Sequence, residues 1–171
     1  MKTNINMIVA VDKNFGIGYR NKLLTHIPED LKYFKNVTKG HVLIMGYNTY
    51  MSLPKRPLPD RTTIVLTRKD KSSHNELKDA IVCNSIDLIF EKLTTEDLKN
   101  KKVFVCGGES IYRQFMKYAD TLYITHLFKE FKADTFFPKI EKDNWEISEV
   151  KADFENIHNK IPHIFTIYNK K

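Results

Sequence analysis

The sequence predicts an α/β fold: an eight-stranded mixed, mostly parallel sheet flanked by about four helices, with an antiparallel C-terminal edge. Three observations predict it. Eight short runs rich in β-branched residues recur along the chain, helix-like stretches separate most of the first six, and no helix-like stretch separates the last three. Alternation of strand and helix favours parallel strands covered by helices on both faces, whereas consecutive strands pair antiparallel.

The first strand, residues 5–11, ends at Asp12. A helix over 28–37 follows, and Pro28 suits its first turn because the missing N–H would be unpaired there anyway. Next come strand 41–45, helix 49–53, and strands 62–66 and 80–83. Helix 86–92 leads to strand 102–106, and helix 109–118 to strand 121–127. Strands 145–150 and 163–168 complete the sheet. No repeat, low-complexity tract or Gly-, Ser- or Pro-rich linker interrupts this order. A single domain over residues 1–171 is expected.

With 42% hydrophobic, 12% aromatic and 29% charged residues, the chain lies far from the balance that keeps chains disordered. The longest apolar runs, 7–11 and 42–45, are well short of the ~18–20 residues of a membrane span. Residues 1–6 carry one lysine before a five-residue apolar run, too short for a secretory h-region, so a cytoplasmic location is expected. Cys83 and Cys106 sit in apolar stretches without paired spacing and read as buried reduced thiols. The net charge of +7 suits nucleic acid, an anionic membrane or a small polyanion. The lysines are scattered, and no window gathers five like charges without acids nearby, so nucleic acid is not an expected partner.

In such sheets ligands bind beyond the carboxyl ends of the strands. Strand 102–106 runs directly into Gly107, Gly108, Glu109 and Ser110, and then into an amphipathic helix carrying Ile111, Phe115 and Met116. Two glycines at such a joint let backbone approach a ligand, and the helix start suits phosphate. Strand 41–45 has a similar joint at Gly46, followed by Tyr47, Asn48 and Thr49. Strand 62–66 ends in Thr67, Arg68 and Lys69, placing cations beside those joints. The G-x-G-x-x-G fingerprint and its ribose-binding acid are missing, so cations at a strand end point to a phosphorylated nicotinamide cofactor. Without the glycine joints, Arg68 and Lys69 would read as a solvated loop.

Around the helix over 28–37, Ile27, Asp30, Phe34 and Val37 share one stripe, with Leu31 at its margin. An acid on an apolar face is costly unless paired, and desolvation raises its pKa toward the range where it can hold a proton near neutrality. The alternative is an acid serving the helix dipole, but Glu29 already does so from the solvated side. Other chemistries are disfavoured. Ser110 lacks the second glycine of a nucleophile elbow, and the six histidines show no H-E-x-x-H spacing. His158 and His163 flank an expected turn ending at Pro162 and read as a solvated hairpin.

These pieces sit in Ile8-Val9-Ala10, Ile17-x3-Asn21, Ile27-Pro28-Glu29-Asp30-Leu31-Lys32-Tyr33-Phe34-Lys35, Ile44-Met45-Gly46-x2-Thr49, Arg56-Pro57-Leu58-Pro59-x-Arg61, Val105-Cys106-Gly107-Gly108, Tyr123-Ile124-Thr125-His126 and Asp134-Thr135-Phe136-Phe137-Pro138. In that order they resemble the dihydrofolate reductase family over about residues 5–168. The resemblance implies NADPH-dependent reduction of 7,8-dihydrofolate to tetrahydrofolate, with hydride passing to pterin C6 and a proton to N5, in support of one-carbon and thymidylate metabolism. It implies a small-molecule partner and a monomer. Asp30 would be the catalytic acid, bonding the pterin's amino group and N3, with Thr125 supporting it. Ile8, Leu31, Phe34 and Leu53 would wall the substrate, and Arg61 would clamp its glutamate. Ala10, Ile17 and Gly18 would border the nicotinamide. Gly46, Asn48 and Thr49, with Cys106, Gly107, Gly108, Glu109, Ser110, Ile111 and Tyr112, would hold the pyrophosphate and ribose, while Thr67 and Arg68 would take the 2′-phosphate.

The chain departs from the family where a Pro-Trp pair usually follows Asn21: it reads Leu23-Leu24-Thr25-His26. Losing the indole removes apolar cover, and altered loop closure or proton delivery is expected with activity retained. Tyr47 replaces a frequent basic residue and Glu109 a frequent third glycine, leaving more of the phosphate recognition to Arg68. Asp60 and an extra residue near Pro54-Lys55 could shift the glutamate clamp. Two alternatives are a riboflavin-pathway reductase, against which Asp30 and the 56–61 segment argue, and a binding module with decayed catalysis.

Overall fold

Val42, Leu43, Ile44 and Met45 are each no more than 1% exposed, so this strand must bury both faces in the middle of a layered sheet. The computed structural model describes residues 4–171; Met1 to Thr3, which begin the segment weighed above as a leader, lie outside the described residues. The chain runs β1 (Ile5–Val11), β2 (Gly16–Tyr19), β3 (Lys22–Leu23), α1 (Pro28–Thr38), β4 (Val42–Gly46), α2 (Tyr47–Ser52), β5 (Thr62–Leu66), β6 (Ile81–Cys83), α3 (Ile86–Leu93), β7 (Val103–Val105), α4 (Glu109–Phe115), β8 (Ala119–Leu127), β9 (Thr135–Phe136), β10 (Trp145–Lys151), α5 (Phe154–Ile157) and β11 (His163–Lys170).

The main sheet has eight strands in the order β10-β11-β8-β1-β7-β4-β5-β6. Every pairing from β8 to β6 is parallel, whereas β11 lies antiparallel between β8 and β10. This is the predicted mixed sheet with its antiparallel C-terminal edge.

Period-2 alternation divides the core. Met7, Val42, Ile44, Ile64, Val103 and Val105 pack with Ile89 and Leu93 of α3 and with Ile111 and Phe115 of α4. Their neighbours Ile8, Leu43, Met45, Val65 and Phe104 pack with Tyr50 of α2 and, partly buried, with Phe34 and Val37 of α1. Ser85 caps α3 by accepting from the Leu88 N–H at 3.2 Å, while α1 and α4 begin without a side-chain cap. Among the described residues no helix is long and apolar enough to cross a membrane.

Four details correct the sequence reading. A second, three-stranded sheet in the order β3-β2-β9 was not predicted, because segments of two to four residues are too short to display a period. The one-turn helix α5 interrupts the last two strands. The helix after Gly108 tightens to a 3-10 turn at Met116–Tyr118. His163 is not solvated: it is fully buried at the start of β11, and its Nδ1 lies 2.8 Å from the Ile161 carbonyl oxygen. His158 is exposed, as expected.

Candidate active site

α1 begins at Pro28, so Asp30 falls in its first turn, three residues after buried Ile27. The helix docks on the sheet through two contacts nearly one turn apart. Asp30 Oδ1 accepts a 2.7 Å hydrogen bond from the Thr125 hydroxyl, and the Tyr33 ring stacks on Phe165 with centroids 4.2 Å apart. Thr125 on β8 and Phe165 on β11 are paired neighbours in the sheet, so the sheet's register sets the position of the acid. Burial pushes the Asp30 carboxyl above the usual carboxylate range; the Thr125 hydrogen bond and the His163 imidazole pull it back in part.

Across the sheet from Thr125 lies Ala10 of β1. Ala10, Ile17, Leu31 and Asp30 line one small cavity together with Leu24 and Thr25. Four residues placed there or nearby by sequence are therefore brought together, and Leu31, 42% exposed, supplies an apolar wall open to a ligand. Thr25, which replaces the usual indole, faces the same cavity as the acid. Leu127 lines it too and was missed by sequence reasoning; as the apolar end of a strand it carried no distinguishing signal. Gly18 instead pairs with Leu23 and Thr135 in the small sheet.

Ile8 packs with Phe34, Leu53 and Leu58 on one face of the sheet, and its carbonyl accepts a 2.8 Å hydrogen bond from the buried Tyr112 hydroxyl. Arg61 reaches α1: its Nη1 donates to Thr38 Oγ1 at 3.3 Å, its Nε to the Pro59 carbonyl at 2.8 Å, and its guanidinium lies 5.9 Å from the Phe34 ring centroid. Two donors are thus used to orient the fork, and the remaining N–H groups of the five can serve an anion.

The two glycine joints face each other. Ladder bonds continue past the strands, from Cys106 N to the Ile44 carbonyl at 2.8 Å and from Gly46 N to the Gly107 carbonyl at 2.9 Å. Gly107 has φ +121°, a conformation L side chains rarely adopt, and a Cβ there would stand 3.4 Å from Tyr112 Cε2. A Cβ on Gly46 would stand 3.1 Å from Ile111 Cγ1. Thr49 Oγ1 adjoins both Gly107 and Gly108. Side chains larger than hydrogen would fill this cradle, and its bare backbone fits a phosphate-bearing cofactor. Asn48 and Ser110 are exposed at its rim, and Ser110 Oγ accepts from Gln114 Nε2 at 3.1 Å. The Cys106 thiol points back to the Phe104 carbonyl at 3.3 Å, and burial pushes its pKa up.

At the end of β5, Thr67 Oγ1 accepts from the Lys69 N–H, and Arg68 is exposed. Lys69 Nζ sits 4.7 Å from the centroid of Tyr47, so a cation lies over the residue that replaces the usual basic one. Glu109 turns away from the cradle to accept a 2.7 Å hydrogen bond from the backbone N–H of Phe136. A larger open cleft of about 760 Å3, lined by residues such as Arg113, Lys117, Trp145 and Lys170, contains none of the predicted site residues.

An acid desolvated beside a small cavity and a cradle of opposed glycine turns thus stand together on one mixed α/β sheet. The dihydrofolate reductase family model matches residues 4–170. Dihydrofolate reductase of Staphylococcus haemolyticus is 38% identical over 166 residues, covering 97% of this chain and 95% of that protein. The Bacillus subtilis (strain 168) enzyme is 35% identical over 167 residues, covering 98% and 95% respectively. Among solved structures, dihydrofolate reductase from Enterococcus faecalis complexed with NADP(H) and RAB-propyl superposes with a TM-score of 0.84 at 31% identity, covering 99% of this chain and 98% of that one. The chain belongs to the dihydrofolate reductase family.

Proposed function

We propose that the chain reduces 7,8-dihydrofolate to 5,6,7,8-tetrahydrofolate by hydride transfer to pterin C6 with protonation at N5, as a cytoplasmic monomer serving one-carbon and thymidylate metabolism. The observation that carries this reading is the Asp30 carboxylate, bonded to Thr125 and lining one cavity with Ala10 and Ile17.

NADPH supplies the hydride when bound. Gly46, Asn48, Thr49 and residues 106–112, with Glu109 contributing through its backbone alone, would hold its pyrophosphate and ribose, Thr67 and Arg68 would hold its 2′-phosphate, and Ala10, Ile17 and Gly18 would border its nicotinamide. Lys69, held over Tyr47, adds positive charge beside Arg68. Asp30 accepts from the pterin amino group and N3, and the negative charge of its carboxylate, held out of water, favours the protonated pterin. Thr125 fixes which carboxylate oxygen faces the pterin, because Oδ1 is already bonded. Ile8, Leu31, Phe34 and Leu53 exclude water from the ring and its aminobenzoyl extension, and Arg61 binds the glutamate α-carboxylate with the N–H groups it does not use internally.

The test follows NADPH absorbance with and without dihydrofolate near neutral pH. Oxidation that depends on dihydrofolate is expected. Its absence, with NADPH still bound, would leave a binding module, and oxidation with a ribosylaminopyrimidine instead would assign the riboflavin-pathway reaction.

A further inference from the structure

Glu109 and Tyr112 stand three residues apart on α4, and both touch the same short segment of chain. Glu109 Oε1 accepts a 2.7 Å hydrogen bond from the Phe136 N–H, and the Tyr112 ring meets Phe137 edge-on with centroids 5.0 Å apart. Phe136 lies in β9, opposite Gly16 of β2, and the Phe137 N–H donates to the Phe15 carbonyl at 2.8 Å. The same strand β2 carries Ile17, which lines the cavity containing Asp30. One carboxylate therefore joins the glycine cradle to the small sheet that forms the other wall of the site. Arg113 Nη2, 3.8 Å from Glu109 Oε1, offsets part of its charge. A glycine at position 109 could make neither the Phe136 bond nor the Arg113 contact.

We propose that Glu109 is a positioning residue that latches the three-stranded sheet to the pyrophosphate turn, so that the strand bordering the nicotinamide is held in register with the cofactor cradle. The proposal rests on the assignment of that cradle to NADPH. A hydrogen bond to an ionised acceptor is among the stronger ones, and a short two-residue strand such as β9 has few bonds of its own to replace it.

The decisive measurement is amide hydrogen exchange at Phe136 in the ligand-free chain, which does not depend on which substrate is reduced. E109A should speed exchange at Phe136 by about tenfold or more, matching the loss of a charge-assisted bond, with Ile44 in the central strand unchanged. E109Q, which retains an acceptor oxygen, should restore protection while binding NADPH a few-fold more tightly, because a like charge leaves the pyrophosphate turn. In turnover with NADPD, E109A should show a larger deuterium isotope effect on kcat than E109Q, since a loosened wall slows the hydride step selectively. If E109A fails to fold, E109S replaces it, its side chain being too short to reach Phe136. Equal Phe136 exchange in all variants, or E109Q behaving as E109A, would overturn the latch. Absence of dihydrofolate-dependent turnover with Phe136 exchange as expected would instead count against the reductase reading alone.

Discussion

The Thr125 hydroxyl donates to Asp30 Oδ1 across 2.7 Å, joining β8 to the first turn of α1. That bond favours the ionised acid and works against the burial that raises its pKa. Thr125→Val removes the donor while keeping the shape, so the Asp30 pKa should rise further. The kcat/KM pH profile should shift to higher pH than in the parent chain. A profile that stays put would show that the hydroxyl does not control the acid.

Asp30→Asn removes the ionisable group from the pterin edge. Turnover at neutral pH should fall by roughly a hundredfold or more, the scale of a lost acid–base group. Activity should recover in part at lower pH, where the substrate carries its own proton. Steady-state rates across pH 5 to pH 8 check this, and an unchanged pH profile would remove Asp30 from its role.

The same substitution should affect stability with the opposite sign. Because the folded chain raises the Asp30 pKa, the native state binds the proton more readily than the unfolded chain does. This contribution to stability is fully present below the unfolded value of about 3.8 and is lost as pH rises through the higher folded value. Asp30→Asn should therefore melt at a higher temperature than the parent at pH 7, with the difference shrinking as the pH falls through the raised folded value and levelling off below about 3.8. A lower melting temperature at pH 7 would mean that the carboxylate is not disfavoured by its surroundings.

Gly107 tests the cradle. At φ +121° an alanine is strained, and its methyl group would lie in contact with Tyr112. Gly107→Ala should destabilise the fold by about 1–2 kcal/mol and raise the KM for NADPH more than that for dihydrofolate. Urea titration and separate KM measurements decide it; equal effects on both substrates would detach the glycine turn from the cofactor.

Some of this was legible in the sequence because it is local. Runs such as 62–66 declare a strand by composition, and the 3.6-residue period that puts Asp30 among Ile27, Phe34 and Val37 requires only the helix itself. The glycines were visible as punctuation between strand and helix, and the antiparallel edge as strands without helices between them. The folate and nicotinamide roles of individual residues came from resemblance rather than spacing. His163 shows the limit of local reading: beside Pro162 it looked like a solvated turn residue, yet it is fully buried at the start of β11.

By itself the sequence determined the order and type of the main elements, the acid on its apolar stripe and the two glycine joints, because period and turn chemistry act over a few neighbouring residues. Only the tertiary structure decided that Thr125 meets Asp30 across 95 residues, that Tyr112 caps the Ile8 carbonyl across 104, and that Glu109 holds β9. Those contacts depend on which strands are neighbours and in what register, a property of the packed sheet that no short window of the chain contains.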